Sequence, residues 1–88
     1  MKTIEKSIEK SIERMIDEQI ESGSSVARID LDKKTIFRVI KDIEDDSITV
    51  KKLGESIQKF TLKMGYGLDY NDVGENNYFV ITPDVDVA

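Results

Sequence analysis

The chain has 88 residues, 39% hydrophobic and 35% charged, with a formal net charge of −5 and neither Cys nor His. That length accommodates one domain, and the missing residue types remove disulfides, thiolate metal sites, Cys nucleophiles and the commonest general base. No apolar run approaches the roughly 18 residues of a membrane span, the N-terminus has neither a signal-peptide nor a transit-peptide pattern, and a cytoplasmic setting is expected.

KTIEKSIEKSIERMIDEQIE (2–21) places Ile4, Ile8, Ile12, Ile16 and Ile20 at a strict spacing of four. Four residues advance roughly 400° around a helix, so each isoleucine sits about 40° past the last. A coiled-coil seam alternates threes and fours to stay on one line. This stripe drifts by roughly 160° instead, with Met15 near its early edge. The pattern predicts one helix, about 30 Å long, whose apolar stripe wraps obliquely over a compact body. The drift also leaves part of that surface for a two-fold partner, so a homodimer is a second use of the same stripe. The acids Glu5, Glu9, Glu13, Asp17 and Glu21 follow the same spiral and make a negative ridge. Their i,i+4 repulsion is offset at i,i+3 by Lys2–Glu5, Lys6–Glu9, Lys10–Glu13 and Arg14–Asp17. Both charge effects are small beside isoleucine burial, about 1.5–3 kcal/mol per side chain.

Gly23 is an αL stop, SGSS (22–25) a connector, and VARIDL (26–31) an alternating strand with Ala27, Ile29 and Leu31 on one face. DKKTIFRVIKDIEDD reads two ways. As a helix capped by Asp32 it gathers Ile36, Phe37, Val39, Ile40 and Ile43 on one arc, with Lys34, Arg38, Lys41 and Asp42 opposite. As a strand, TIFRVI would pair back on VARIDL. The segregation of polar from apolar favours the helix. SITVKKLGESIQKFTLKMG is a helix capped by Thr49, with Ile48 and Leu53 at hydrophobic-staple positions and Gly65 as its end. Val50, Leu53, Ile57, Phe60 and Met64 form its buried stripe, and Gly54 suggests another backbone packed close by. YGLDY (66–70) and YFVIT (78–82) are two strands of a hairpin joined by the polar loop NDVGENN and stopped by Pro83. Residues 1–83 are thus expected to form one α+β domain, three helices on a small antiparallel sheet with a C-terminal hairpin, and 84–88 a frayed acidic tail.

The order helix, strand, helix, helix, strand, loop, strand, with KDIEDDSITVKKLGESIQKF (41–60) as a helix-turn-helix, resembles the winged-helix family of DNA-binding domains over nearly the whole chain. The resemblance implies a recognition helix at 49–64. Lys51, Lys52, Lys59 and Lys63 would lie opposite its buried stripe, and Arg38 and Lys41 on the helix before, as phosphate contacts. Against that use, Gln58 is the only reader of base edges on the face. Asp69, Asp72 and Glu75 would also set a wing without cations beside phosphates.

Leu62 projects among Lys51, Glu55 and Gln58, as an isolated exposed side chain or as the anchor for a partner. DYNDVGEN matches three positions of a calcium loop with Asp69, Asn71 and Gly74, but Val73 and Val80 stand where two ligands are needed, so no metal is expected. No phosphate-cradling loop is present, and no carboxylate sits in an apolar setting that would raise its pKa. The expectation is a non-catalytic, cofactor-free domain that binds a protein partner. Its acidic surface would be Glu5, Glu9, Glu13, Asp17 and Glu21 with Asp69, Asp72 and Glu75; a second surface would be Leu62 with Arg38, Lys41, Lys51, Lys52, Lys59 and Lys63. Size, acidity and Ile/Lys/Asn-rich composition resemble small virus-encoded inhibitors, which implies occupation of a nucleic-acid-binding protein's groove. The alternative is a DNA-binding regulator of winged-helix type using the 49–64 helix.

Overall fold

A computed structural model describes residues 4–44, 46–74 and 76–83. The expected tail 84–88, Glu75 of the acidic hairpin, Lys2 of the first helical pair and the side chain of Ile4 lie outside that set. Six elements follow one another: α1 (Ile4–Glu21), β1 (Ala27–Asp30), α2 (Lys33–Ile43), α3 (Val50–Met64), β2 (Gly67–Val73) and β3 (Asn76–Thr82). The class is α+β, as the periodicities predict.

The strands form one antiparallel sheet in the order β1-β3-β2. Ala27 stands opposite Ile81, Ile29 opposite Phe79, and Leu68 also opposite Ile81. Alternation therefore puts Ala27, Ile29, Phe79 and Ile81 on one face, and all four are buried. α1 closes over that core with Ile8, Ile12, Met15 and Ile16 buried and Ile20 packed at the margin.

The turning stripe carries α1 past three neighbours in succession. Near its start Glu5 and Glu9 bond to α3. Further along, the buried Ser11 hydroxyl donates to Asp42 of α2 at 2.8 Å, and Glu18 accepts from Arg38 of the same helix. At the far end the Gln19 carboxamide reaches β1. Its nitrogen donates to the Arg28 carbonyl and its oxygen accepts from the Arg28 N–H, both at 2.8 Å. One side chain thus occupies the outward backbone groups of Arg28 as a neighbouring strand would.

The ambiguous segment is helical because its start is satisfied locally: Asp32 Oδ1 accepts from the Thr35 N–H and hydroxyl, each at 2.9 Å. α2 ends without glycine; Glu44 itself takes the left-handed conformation with φ of 56°, uncommon for a residue with a side chain. Thr49 caps α3 by accepting from the Lys52 N–H, and Gly65 closes it at φ of 76°. The end bonds are those of a Schellman turn, with the Tyr66 N–H on the Thr61 carbonyl.

Four expectations change. Phe37 does not join the buried arc of α2 but is 71% exposed. Val50 and Met64, at the two ends of the α3 stripe, are 41% and 44% exposed, because the helix ends project beyond the core that covers its middle. The polar segment 71–77 is mostly ladder: Asn71, Asp72 and Val73 pair with Tyr78, Asn77 and Asn76, leaving 74–75 as the connection. Gly74, just past β2, takes a φ of 63°, the left-handed region that hairpin turns favour, and an exposed ribbon tolerates polar residues on both faces. Finally, no backbone packs on Gly54. A Cβ there would meet only Leu31 Cδ1 and Phe79 Cε2, each at 4.0 Å.

Gly54→Ala therefore stabilises the domain, by about 0.5–1 kcal/mol of helix propensity and unfolded-state entropy, or a rise in Tm of roughly 4–8 °C per kcal/mol. Ile12→Ala works the other way, at about 2–5 kcal/mol, a large share of the roughly 5–15 kcal/mol of a whole domain. Thermal denaturation followed by circular dichroism reads both; a lowered Tm for Gly54→Ala contradicts the room for a methyl group at that residue.

Candidate interaction surfaces

Ion pairs join α1 to the other helices, and they decide which charges are left for anything else. Lys52, Lys59 and Lys63 recur along one edge of α3, the edge that meets α1. Glu5 Oε2 accepts from Lys52 Nζ at 3.2 Å and from Lys59 Nζ at 3.0 Å, and Glu9 Oε1 accepts from Lys63 Nζ at 2.6 Å. The hydrogen bond from Lys59, with that from Lys52, holds the Glu5 carboxyl below the usual glutamate range. The same carboxylate raises Lys59 above the usual lysine range. Glu5 and Glu9 are thus paired between helices rather than along their own. Three of the four lysines expected to oppose the buried stripe of α3, Lys52, Lys59 and Lys63, flank its seam with α1 instead.

A second set of pairs fixes α2. Arg38 donates to Glu18 at 2.7 Å, and Arg14 lies 3.4 Å from Asp42 rather than on Asp17. Of the seven residues expected to form a basic partner or DNA face, Arg38, Lys52, Lys59 and Lys63 are engaged in this way. Lys41 and Lys51 have no ion pair among the described residues, and Leu62 is 84% exposed. The outward row of α3 is then Lys51, Glu55, Gln58 and Leu62, all exposed, a mixed row rather than a basic one.

The acidic surface is likewise smaller than the spiral suggests. Glu13, Asp17 and Glu21 are exposed and have no ion pair among the described residues; with Lys10, Arg14 and Glu18 they line a shallow depression along the C-terminal half of α1. Asp69 and Asp72 are three apart on β2, so they point to opposite faces of the sheet and form no single patch. The structure brings Glu5 and Glu9 to the lysines, keeps Glu13, Asp17 and Glu21 in a line, and leaves the two aspartates apart. Of Glu75 nothing further is described.

One surface escaped the sequence reading. The exposed Phe37 borders a concavity of about 210 Å³ lined by Lys33, Ile36, Ile48 and Val50. Its signal was present: on the α2 wheel Phe37 lies roughly 60° beyond Ile40, away from Val39 and Ile43, with lysines at i−4 and i+4. Among the described residues no group of acids is placed to hold a metal ion, and no helix is long and apolar enough to cross a membrane.

The Glu5 clamp has a definite pH signature. Its lowered pKa makes the stabilisation complete above the ordinary glutamate value and lost as pH falls through the lower folded value. Lys59, being raised, gives up its share only at alkaline pH, above the ordinary lysine value. Asp32, held low chiefly by the Thr35 N–H, titrates in the same direction as Glu5, so the clamp is read by difference. The acid loss of thermal stability is smaller in Glu5→Gln than in the native chain, and carbon-detected NMR finds the Glu5 carboxyl titrating below a free glutamate. A Glu5 midpoint at the free value would dissolve the clamp.

No family model, no curated protein and no solved structure matches this chain, so its surfaces alone carry the functional reading.

Proposed function

We propose that the domain is a non-catalytic protein-binding module, acting as an inhibitor or adaptor in the cytoplasm by occupying a basic surface of its partner with Glu13, Asp17 and Glu21. The observation that carries this reading is the pairing of Lys52 and Lys59 with Glu5 and of Lys63 with Glu9. Those surface pairs engage three of the four α3 lysines with acids of α1, and the chain's net charge of −5 has the sign a nucleic-acid mimic presents to a nucleic-acid-binding protein. Steered, salt-sensitive association follows from such a field.

The order of elements and the α2–α3 pair favour a second reading, duplex DNA bound by α3 in the winged-helix manner. Lys41 and Lys51 would then be the free phosphate contacts on that face, and two contacts give a salt slope of only about −2. With Gln58 as the sole base reader, specificity would be poor.

Affinity capture from nuclease-treated host lysate separates the two readings. The native domain and a Glu13→Lys/Asp17→Lys/Glu21→Lys variant are compared by quantitative mass spectrometry. Salt-sensitive protein partners are expected to fall about tenfold or more in the variant, and the native domain is expected to pass through a duplex-DNA column at low salt. Retention on that column, abolished by Lys41→Glu/Lys51→Glu, replaces the protein-binding reading with the second one.

A further inference from the structure

Six cations of this chain, Arg14, Arg28, Arg38, Lys52, Lys59 and Lys63, are closed in ion pairs. Lys33, Lys34 and Lys41 are exposed and have none among the described residues. They sit at i−4, i−3 and i+4 from Phe37, so on the helix surface all three surround the exposed ring. Beside the ring lies the concavity of about 210 Å³ walled by Ile36, Ile48 and Val50. An exposed aromatic ring, an apolar hollow and three lysines with no ion pair among the described residues therefore coincide on α2, in a molecule whose net charge is −5. The acid at the start of the same element is Asp32, held low chiefly by the Thr35 N–H and in smaller part by Lys34 through space.

We infer that this face of α2 binds an acidic protein segment that carries one apolar anchor side chain, the anchor entering the hollow against Phe37 and the flanking carboxylates meeting Lys33, Lys34 and Lys41. Size selects the class of ligand: the hollow is below the roughly 300 Å³ of small-molecule sites and suits a single side chain. Apart from the Lys33 ammonium at its edge, its lining side chains are apolar and offer no acceptor to the edges of a nucleobase. A symmetric second copy is disfavoured because a two-fold axis through Phe37 would set the three lysines against their own images. Nor does the acidic ridge of another copy supply an anchor, since Glu13, Asp17 and Glu21 are flanked there by Arg14 and Glu18. The site is independent of the acidic ridge on α1, and together the two would let one domain bridge a basic and an acidic protein.

Fluorescence anisotropy with the intact domain tests it. The probes are labelled acidic peptides with a single central Leu, Ile or Phe, the same peptides with Lys replacing Glu, and an oligothymidylate. Saturable binding of the acidic set is expected, weakened about tenfold or more by Phe37→Ser and by Lys33→Glu/Lys41→Glu, and unchanged by Val73→Ser on the exposed ribbon. Circular dichroism of each variant verifies that the fold is kept. The inference is overturned if no acidic peptide binds, if binding survives Phe37→Ser, or if the oligothymidylate displaces the peptide and is lost with the same lysines. Self-association abolished by Phe37→Ser would overturn it in favour of a second copy.

Discussion

Ile8, Ile12 and Ile16 turn around α1 as they descend it, and that rotation determines which element the helix touches at each level. A straight seam would hold a single partner along its length. The turning one lies first against α3, then α2, then β1, so one helix of 18 residues covers most of a core that the three-stranded sheet cannot close alone. Burial of the isoleucines is the dominant energy. The polar contacts fall where this packing sets them down: Glu5 and Glu9 at the edge of the stripe facing α3, Ser11 and Glu18 where it has turned to α2, and Gln19 where it arrives at the sheet.

Seen in this way the ion pairs are consequences of apolar packing rather than its cause. Isolated exposed pairs contribute little to stability, yet they decide what the molecule shows to others. By drawing in the lysines of α3, the N-terminal half of α1 quenches the basic surface that a helix after a helix-turn-helix would otherwise offer. The unquenched charge is sorted instead into a negative line on the second half of α1 and a positive cluster on α2. So small a body thus carries two surfaces of opposite sign.

The parts of this arrangement governed by neighbours in sequence were legible in it. Asp32 and Thr49 cap where their spacing to the following amides predicts, Gly65 stops α3, and alternation assigns the faces of β1. The order of elements followed from those signals. What was hidden depends on distance along the chain. Lys52 and Lys59 lie 47 and 54 residues from Glu5, and no periodicity within one helix says that they meet; the near partners at i,i+3 looked equivalent. Val50 and Met64 carry the right spacing for burial but stand at helix ends, and spacing does not say where the opposing core stops. Gly54 suggests a closely packed backbone, whereas its neighbours are the side chains of Leu31 and Phe79 at ordinary contact distance, with room for a methyl group. The hairpin was read short because its polar residues resemble loop, although a ribbon with solvent on both faces places no demand for alternation on its tip.

The Gln19 carboxamide has a consequence for assembly. With both outward backbone groups of Arg28 occupied, the four-residue β1 offers an added strand a shorter template than the seven-residue β2. Two copies meeting edge to edge would join most readily β2 to β2, which consumes the longer open side of each and gives a six-stranded pair. Fibre growth would need a free strand on both margins, and a single glutamine side chain interrupts one of them at Arg28.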